Sequence, residues 1–238
     1  MWRFMFEFSF VWPYMGLGAA LLLALLLCTD ALRSDLTVSR WRDLVWLAWL
    51  GMLAYLIHQF EEHGIDLRGA TYAFRGEMCR NMGQPDVQTC PIPFSFVNAV
   101  NITCVWVFGP VTALLGRRWP GFALAFFAIP FVNTLIHLIP VVAHGAYNAG
   151  LLTALVFFVP LSLWAFHVAL SRYQLGWRAV IATIVAGIVF HAIMIGSLPV
   201  FLAGGIGVFV LDAIQVINPA LILLIVMYLG RRRAMPAP

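Results

Sequence analysis

The chain has 238 residues, of which 63% are apolar and only 10% charged, and its mean hydropathy is +0.93. A soluble domain needs more polar surface than this to cover a core, so the composition points to a membrane protein. The net charge of +4 comes from fourteen arginines. They sit mostly in short loops, where orienting helices explains them and nucleic acid does not. No lysine is present, which excludes a retinal-type Schiff base.

A transmembrane helix takes roughly 20 apolar residues. Seven such runs follow one another, at about 10–28, 43–60, 94–116, 121–139, 146–170, 178–196 and 206–229. The first lacks a short charged leader and a small-residue cleavage site. Leu25-Leu26-Leu27-Cys28 also lacks the small residue expected before a lipoprotein cysteine, so the run reads as a retained helix. The predicted fold is an all-α polytopic membrane bundle of about seven transmembrane helices, one domain over 1–238. Trp12, Tyr14, Trp41, Trp119 and Trp177 fall near span ends and read as interfacial anchors. Asn218-Pro219 reads as a kink in the last helix.

Arginine counting sets the orientation. With the N-terminus outside, ten arginines fall inside, including Arg231-Arg232-Arg233, against Arg3, Arg68, Arg75 and Arg80 outside. The reverse orientation inverts the bias, so the N-terminus is expected outside and the C-terminus in the cytoplasm. The long loop at 61–93 then faces an oxidising compartment, and a Cys79–Cys90 disulfide is expected there. Cys28 and Cys104 lie in apolar runs and read as packing residues.

On this topology the polar residues gather at one end. His58, Glu61, Glu62 and His63 close the second span, and Asn98 and Asn101 open the third. Asn133 and His137 lie in the fourth, His144 and Asn148 open the fifth, His191 lies in the sixth, and Asp212 and Gln215 in the seventh. Of six histidines, only His167 falls in the other half. A central Asp or Arg costs roughly 2.5–3.5 kcal/mol to insert, so such groups are expected to face one another in a single polar pocket. His58, Glu61 and Glu62 share one helix face, by i,i+3 and i,i+4 spacing. Asn133/His137 and His144/Asn148 are two further i,i+4 pairs, in which the amide would orient the imidazole.

The motif His58-Gln59-Phe60-Glu61-Glu62, followed by Asn133-Thr134-Leu135-Ile136-His137, resembles the HXXEE family of bacterial membrane proteins. The resemblance implies a bacterial inner-membrane location and a shared site at His58, Glu61, Glu62, Asn133 and His137. It supplies no substrate. A Tyr-x-Pro-Gly element associated with the family has no counterpart here, the nearest stretch being Ile217-Asn218-Pro219-Ala220.

These residues lead to a membrane-embedded metalloenzyme. His58, Glu62, His137 and His144 are the expected ligands of a divalent zinc or iron, with His191 in reserve and Glu61 as general base or added ligand. Asn133, Asn148 and Asp212 would support them. A buried site near the outer face favours an apolar or lipid-like substrate among the membrane lipids. Two rivals stand beside it: metal-free acid–base isomerisation through His58 and Glu62, and an ion- or proton-binding transporter.

Overall fold

The computed structural model describes residues 2–84 and 89–230, with backbone only for residues 2–7 and 81. Arg231, Arg232 and Arg233, counted above for orientation, lie outside the described residues. The described chain forms eight helices: α1 (Trp2–Leu27), α2 (Leu44–His63), α3 (Ala73–Asn81), α4 (Phe94–Gly116), α5 (Pro120–His144), α6 (Leu151–Ser171), α7 (Trp177–Leu202) and α8 (Val208–Gly230). All but α3 supply a stretch long and apolar enough to cross a membrane. The fold is all-α, as composition and apolar run lengths imply.

α2 is the central element: 72% of its apolar window is buried, against 28% for α8. It packs on α1, α4, α5 and α6. Its start is fixed by Asp43, whose carboxylate accepts from the backbone N–H groups of Val45 and Trp46. The same carboxylate also gathers Ser34 and Asp35 from the preceding loop. α2 runs three residues past the predicted end, so the whole motif through His63 is helical.

Two boundaries shift in a way that matters for the site. α5 continues to His144, where Gly145 turns left-handed at φ 63°, and α6 starts only at Leu151, after Gly150 at φ 94°. Asn148 therefore lies in a tight loop, and the expected helical His144/Asn148 pair does not form. α4 and α6 each contain a π-helical stretch, Ile102–Val107 and Ala154–Phe158. Wide turns of this kind recur at functional sites, and the second begins right after Thr153.

α3 and the loop around it roof one end of the bundle. Cys79 and Cys90 form a disulfide with Cα atoms 5.5 Å apart. Arg75 is buried beneath it, donating to the Cys90 and Ile92 carbonyls and lying over the Phe94 ring. Cys104 is a buried free thiol and Cys28 an exposed one. Trp41, Trp177 and Tyr14 are exposed, as anchors would be, and Trp119 is partly buried. Trp12 is not an anchor: it is fully buried, its ring 5.2 Å from His63, because α1 packs against the end of α2.

Candidate metal centre

Three side chains from two helices converge beneath the roof. Glu62 Oε1 lies 3.4 Å from His58 Nε2 and 3.2 Å from His137 Nε2, and all three ligand atoms fall within 4.8 Å of one another. All three residues are buried. His58 and Glu62 share a face of α2 by their i,i+4 spacing, and α5 delivers His137 from across the bundle. The two rings stand edge to face, with centroids 5.1 Å apart.

The surrounding hydrogen bonds decide which nitrogen faces inward. Glu61 accepts from the Tyr147 hydroxyl (2.7 Å), the Leu152 and Thr153 N–H groups (3.2 and 2.9 Å) and the Thr153 hydroxyl (2.5 Å). The Thr153 proton is thus given to Glu61, and the hydroxyl oxygen must accept from His58 Nδ1, 2.8 Å away. On the other side, Asn148 Nδ2 donates to the His137 carbonyl (2.9 Å), which turns Oδ1 toward His137 Nδ1 at 2.6 Å. With both rings neutral, these bonds put the proton on Nδ1 and turn the Nε2 lone pair toward a carboxylate oxygen.

That arrangement of neutral rings is repulsive without a metal ion or an added proton. Both Nε2 atoms are buried with no hydrogen-bond partner. Burying an unpaired polar group costs about 1–3 kcal/mol, and here two such atoms face a third acceptor. Donors held at about 2.0–2.1 Å from a tetrahedral zinc lie about 3.3 Å apart, between the 3.2 and 3.4 Å of the two pairs that share Glu62 Oε1. A direct charge-assisted hydrogen bond would be shorter, about 2.7–2.9 Å. Two imidazoles and one carboxylate form an open donor set, suited to catalytic zinc or to non-haem iron.

Glu61, expected as general base or added ligand, is engaged by four donors from the loop before α6 and from α6 itself. Gly150 precedes α6 with no side chain to cap it, and Glu61 reaches across from α2 to bind the orphaned N–H groups of Leu152 and Thr153. It caps α6 in trans and fixes Thr153, which fixes His58. Gly150 itself closes on the centre: a Cβ there would lie 2.7 Å from His137 Cε1 and 2.8 Å from Glu62 Cγ and His58 Cε1.

The remaining polar residues do not share this centre. His144 is exposed at the end of α5. His191 is buried, its Nδ1 bonded to the Gly187 carbonyl at 2.8 Å, and stands outside the converging group. Asn133 makes no contact with His137 that replaces Asn148, and its Oδ1 is buried without a partner. Asp212 is half-buried on α8 and interacts with Ser95. Asn98 bonds Ser9, Asn101 bonds Gln59, and Gln215 bonds Ser197. His167 is exposed beside Trp164. The single pocket expected from six helices is thus one centre plus separate interhelical hydrogen bonds.

Three contributors were not foreseen: Thr153, Tyr147 and Gly150. His63 follows Glu62 at the last turn of α2, where its Nε2 comes within 3.4 Å of Glu62 Oε2. Its ring is enclosed by Trp12, Tyr72 and Phe74. A cavity of about 580 Å³ adjoins the centre, with His137 and Asn148 in its wall and mostly apolar side chains elsewhere.

Residues 49–165 match the family described as a protein of unknown function with HXXEE motif. Over this stretch the chain is similar to the HXXEE family. The HXXEE segment contains His58, Glu61, Glu62, His137, Asn148, Gly150 and Thr153, whereas His191 and Asp212 lie beyond it. No curated protein and no solved structure matches the chain.

Proposed function

We propose that this protein is a membrane-embedded metalloenzyme in which His58, Glu62 and His137 hold one divalent zinc or iron. The observation that carries this reading is the pair of buried, unpartnered Nε2 atoms aimed at a Glu62 oxygen. A metal bound there would supply Lewis acidity or, as iron, redox chemistry. Thr153 and Asn148 keep both imidazoles in the ligating tautomer, and Glu61 holds Thr153 in place. The apolar cavity excludes water and suits an apolar or lipid-like substrate. The arginine asymmetry supports placing this end of the bundle at the outer membrane face, with the C-terminus in the cytoplasm.

One observation favours a second reading. Glu62 Oε2 lies 3.4 Å from His63 Nε2, so Glu62 stands among three imidazoles and is placed for metal-free acid–base chemistry. Metal analysis separates the two. Purified wild-type protein should carry about one zinc or iron per chain. His58→Ala, Glu62→Ala and His137→Ala should each lose it, while His144→Ala and His191→Ala keep it. Zero metal in wild type, after growth with either metal supplied, would leave the acid–base reading.

A further inference from the structure

The cavity beside the centre opens in a definite direction. α5 and α7 touch closely where Gly187 meets Ala128: a Cβ at Gly187 would collide with the Ala128 carbonyl and the Val132 side chain. Nearer the roof the gap between the same two helices holds the cavity, with Ile136 and Ile139 on one side and Met194 and Ile195 on the other. Ile139 and Ile195 are 60% and 48% exposed, so the gap opens on the apolar flank of the bundle. A water-borne substrate has no use for such an opening; a membrane-borne one does.

The lining adds a charge. Glu77, Arg80, His144 and Tyr147 belong to the lining, with Arg80 and His144 exposed and Glu77 and Tyr147 partly buried. Glu77 is engaged by Arg68 and by the Ala149 N–H, and Tyr147 donates to Glu61. The Arg80 side chain is exposed and makes no hydrogen bond or ion pair with any described residue, which leaves it a cation without a partner among them. The lining thus presents an apolar flank opening, a polar wall at His137 and Asn148, and an exposed cation.

We propose that this cavity takes an anionic acyl amphiphile directly from the membrane. Its chain enters through the gap between α5 and α7, its anionic group is held by Arg80, and the polar linkage between them comes to lie against His137 and Asn148. The proposal names the substrate class of the centre described above and rests on that reading for the chemistry, but its binding step needs no metal.

The test uses full-length protein in phosphatidylcholine nanodiscs, metal-free and zinc-loaded, with two probes: dodecyl phosphate and dodecanol. An ion-paired hydrogen bond is the expected difference, so dodecyl phosphate should bind at least about tenfold more tightly. Arg80→Gln should bring the two probes to near-equal affinity in both metal states. In a parallel measurement, dodecyl phosphate with a photoactivatable diazirine at its chain end should label 136–140 and 194–198. Labels spread equally over α1 and α8, or a preference unchanged in Arg80→Gln, would overturn the proposal. If the labels fall as expected but no metal is ever bound, the binding proposal stands and the metalloenzyme reading falls. If one metal is bound and the labels scatter, the outcome is reversed.

Discussion

His58 Nδ1 lies 2.8 Å from the Thr153 hydroxyl, and this one hydrogen bond sets which imidazole nitrogen faces Glu62. The hydroxyl can accept from His58 because its own proton goes to Glu61. Thr153→Val keeps the shape and removes both bonds. Loss of such an orienting partner typically costs 10–100-fold in metal affinity. Thr153→Val should show a loss of that size in a competitive chelator titration, and Thr153→Ser should restore most of it. Equal affinities for all three proteins would remove Thr153 from the centre.

Gly150 gives a sharper contrast. Alanine there meets two penalties: a left-handed φ of 94°, and a Cβ within 2.8 Å of all three proposed ligand residues. Gly145 shares only the first, since its φ is 63° and nothing lies within 4 Å of an added Cβ. A left-handed alanine costs roughly 1–2 kcal/mol. Gly145→Ala should therefore lower thermal stability modestly and keep its metal, while Gly150→Ala should lose metal even where the helices remain folded by circular dichroism. Retained metal in Gly150→Ala would mean the three ligands are not packed against that backbone.

Much of this was legible in the residues. Seven apolar runs marked seven spans, and the i,i+4 spacing of His58 and Glu62 placed both on one face, as found. The Cys79–Cys90 pairing followed from a short turn-rich segment and is present. His137 was expected to join His58 and Glu62 from another helix, and it does; what was missed lies in the finer contacts around the three. Asn148 was paired with His144 on the assumption of a helix, but Gly145 and Gly150 impose a loop that turns it to His137. Glu61 looked like a ligand because nothing local shows that α6 lacks a cap of its own. A threonine three residues after a glycine carries no signal of chemistry. It acquires one only when α2 and α6 pack together.

The disulfide should stabilise the roof and leave the centre intact. Cys79 belongs to α3, whereas the ligands sit on α2 and α5, and α6 supplies the support. Closing a loop of this size contributes about 2–3 kcal/mol. Cys79→Ser/Cys90→Ser should lower the melting temperature and speed proteolysis within 64–93, with metal content unchanged. Metal loss on reduction would show that the roof is needed to hold the ligands.

Tyr147 sets an alkaline limit. Burial, and then its hydrogen bond to the Glu61 carboxylate, push the phenol above its ordinary value of 10.0. The folded state thus keeps a proton that the unfolded chain releases near pH 10. The sign follows directly: the contribution is fully present below about pH 10 and is lost as pH rises toward the higher folded-state value. Melting temperatures of wild type and Tyr147→Phe should therefore differ by a constant amount from pH 6 to 9, with the gap closing above 10. Tyr147→Phe should also weaken metal binding, because Glu61 loses one of the donors that hold it against Thr153. A gap that changes between pH 6 and 9 would mean that another titrating group, and not the neutral Tyr147 hydroxyl, holds Glu61 in place.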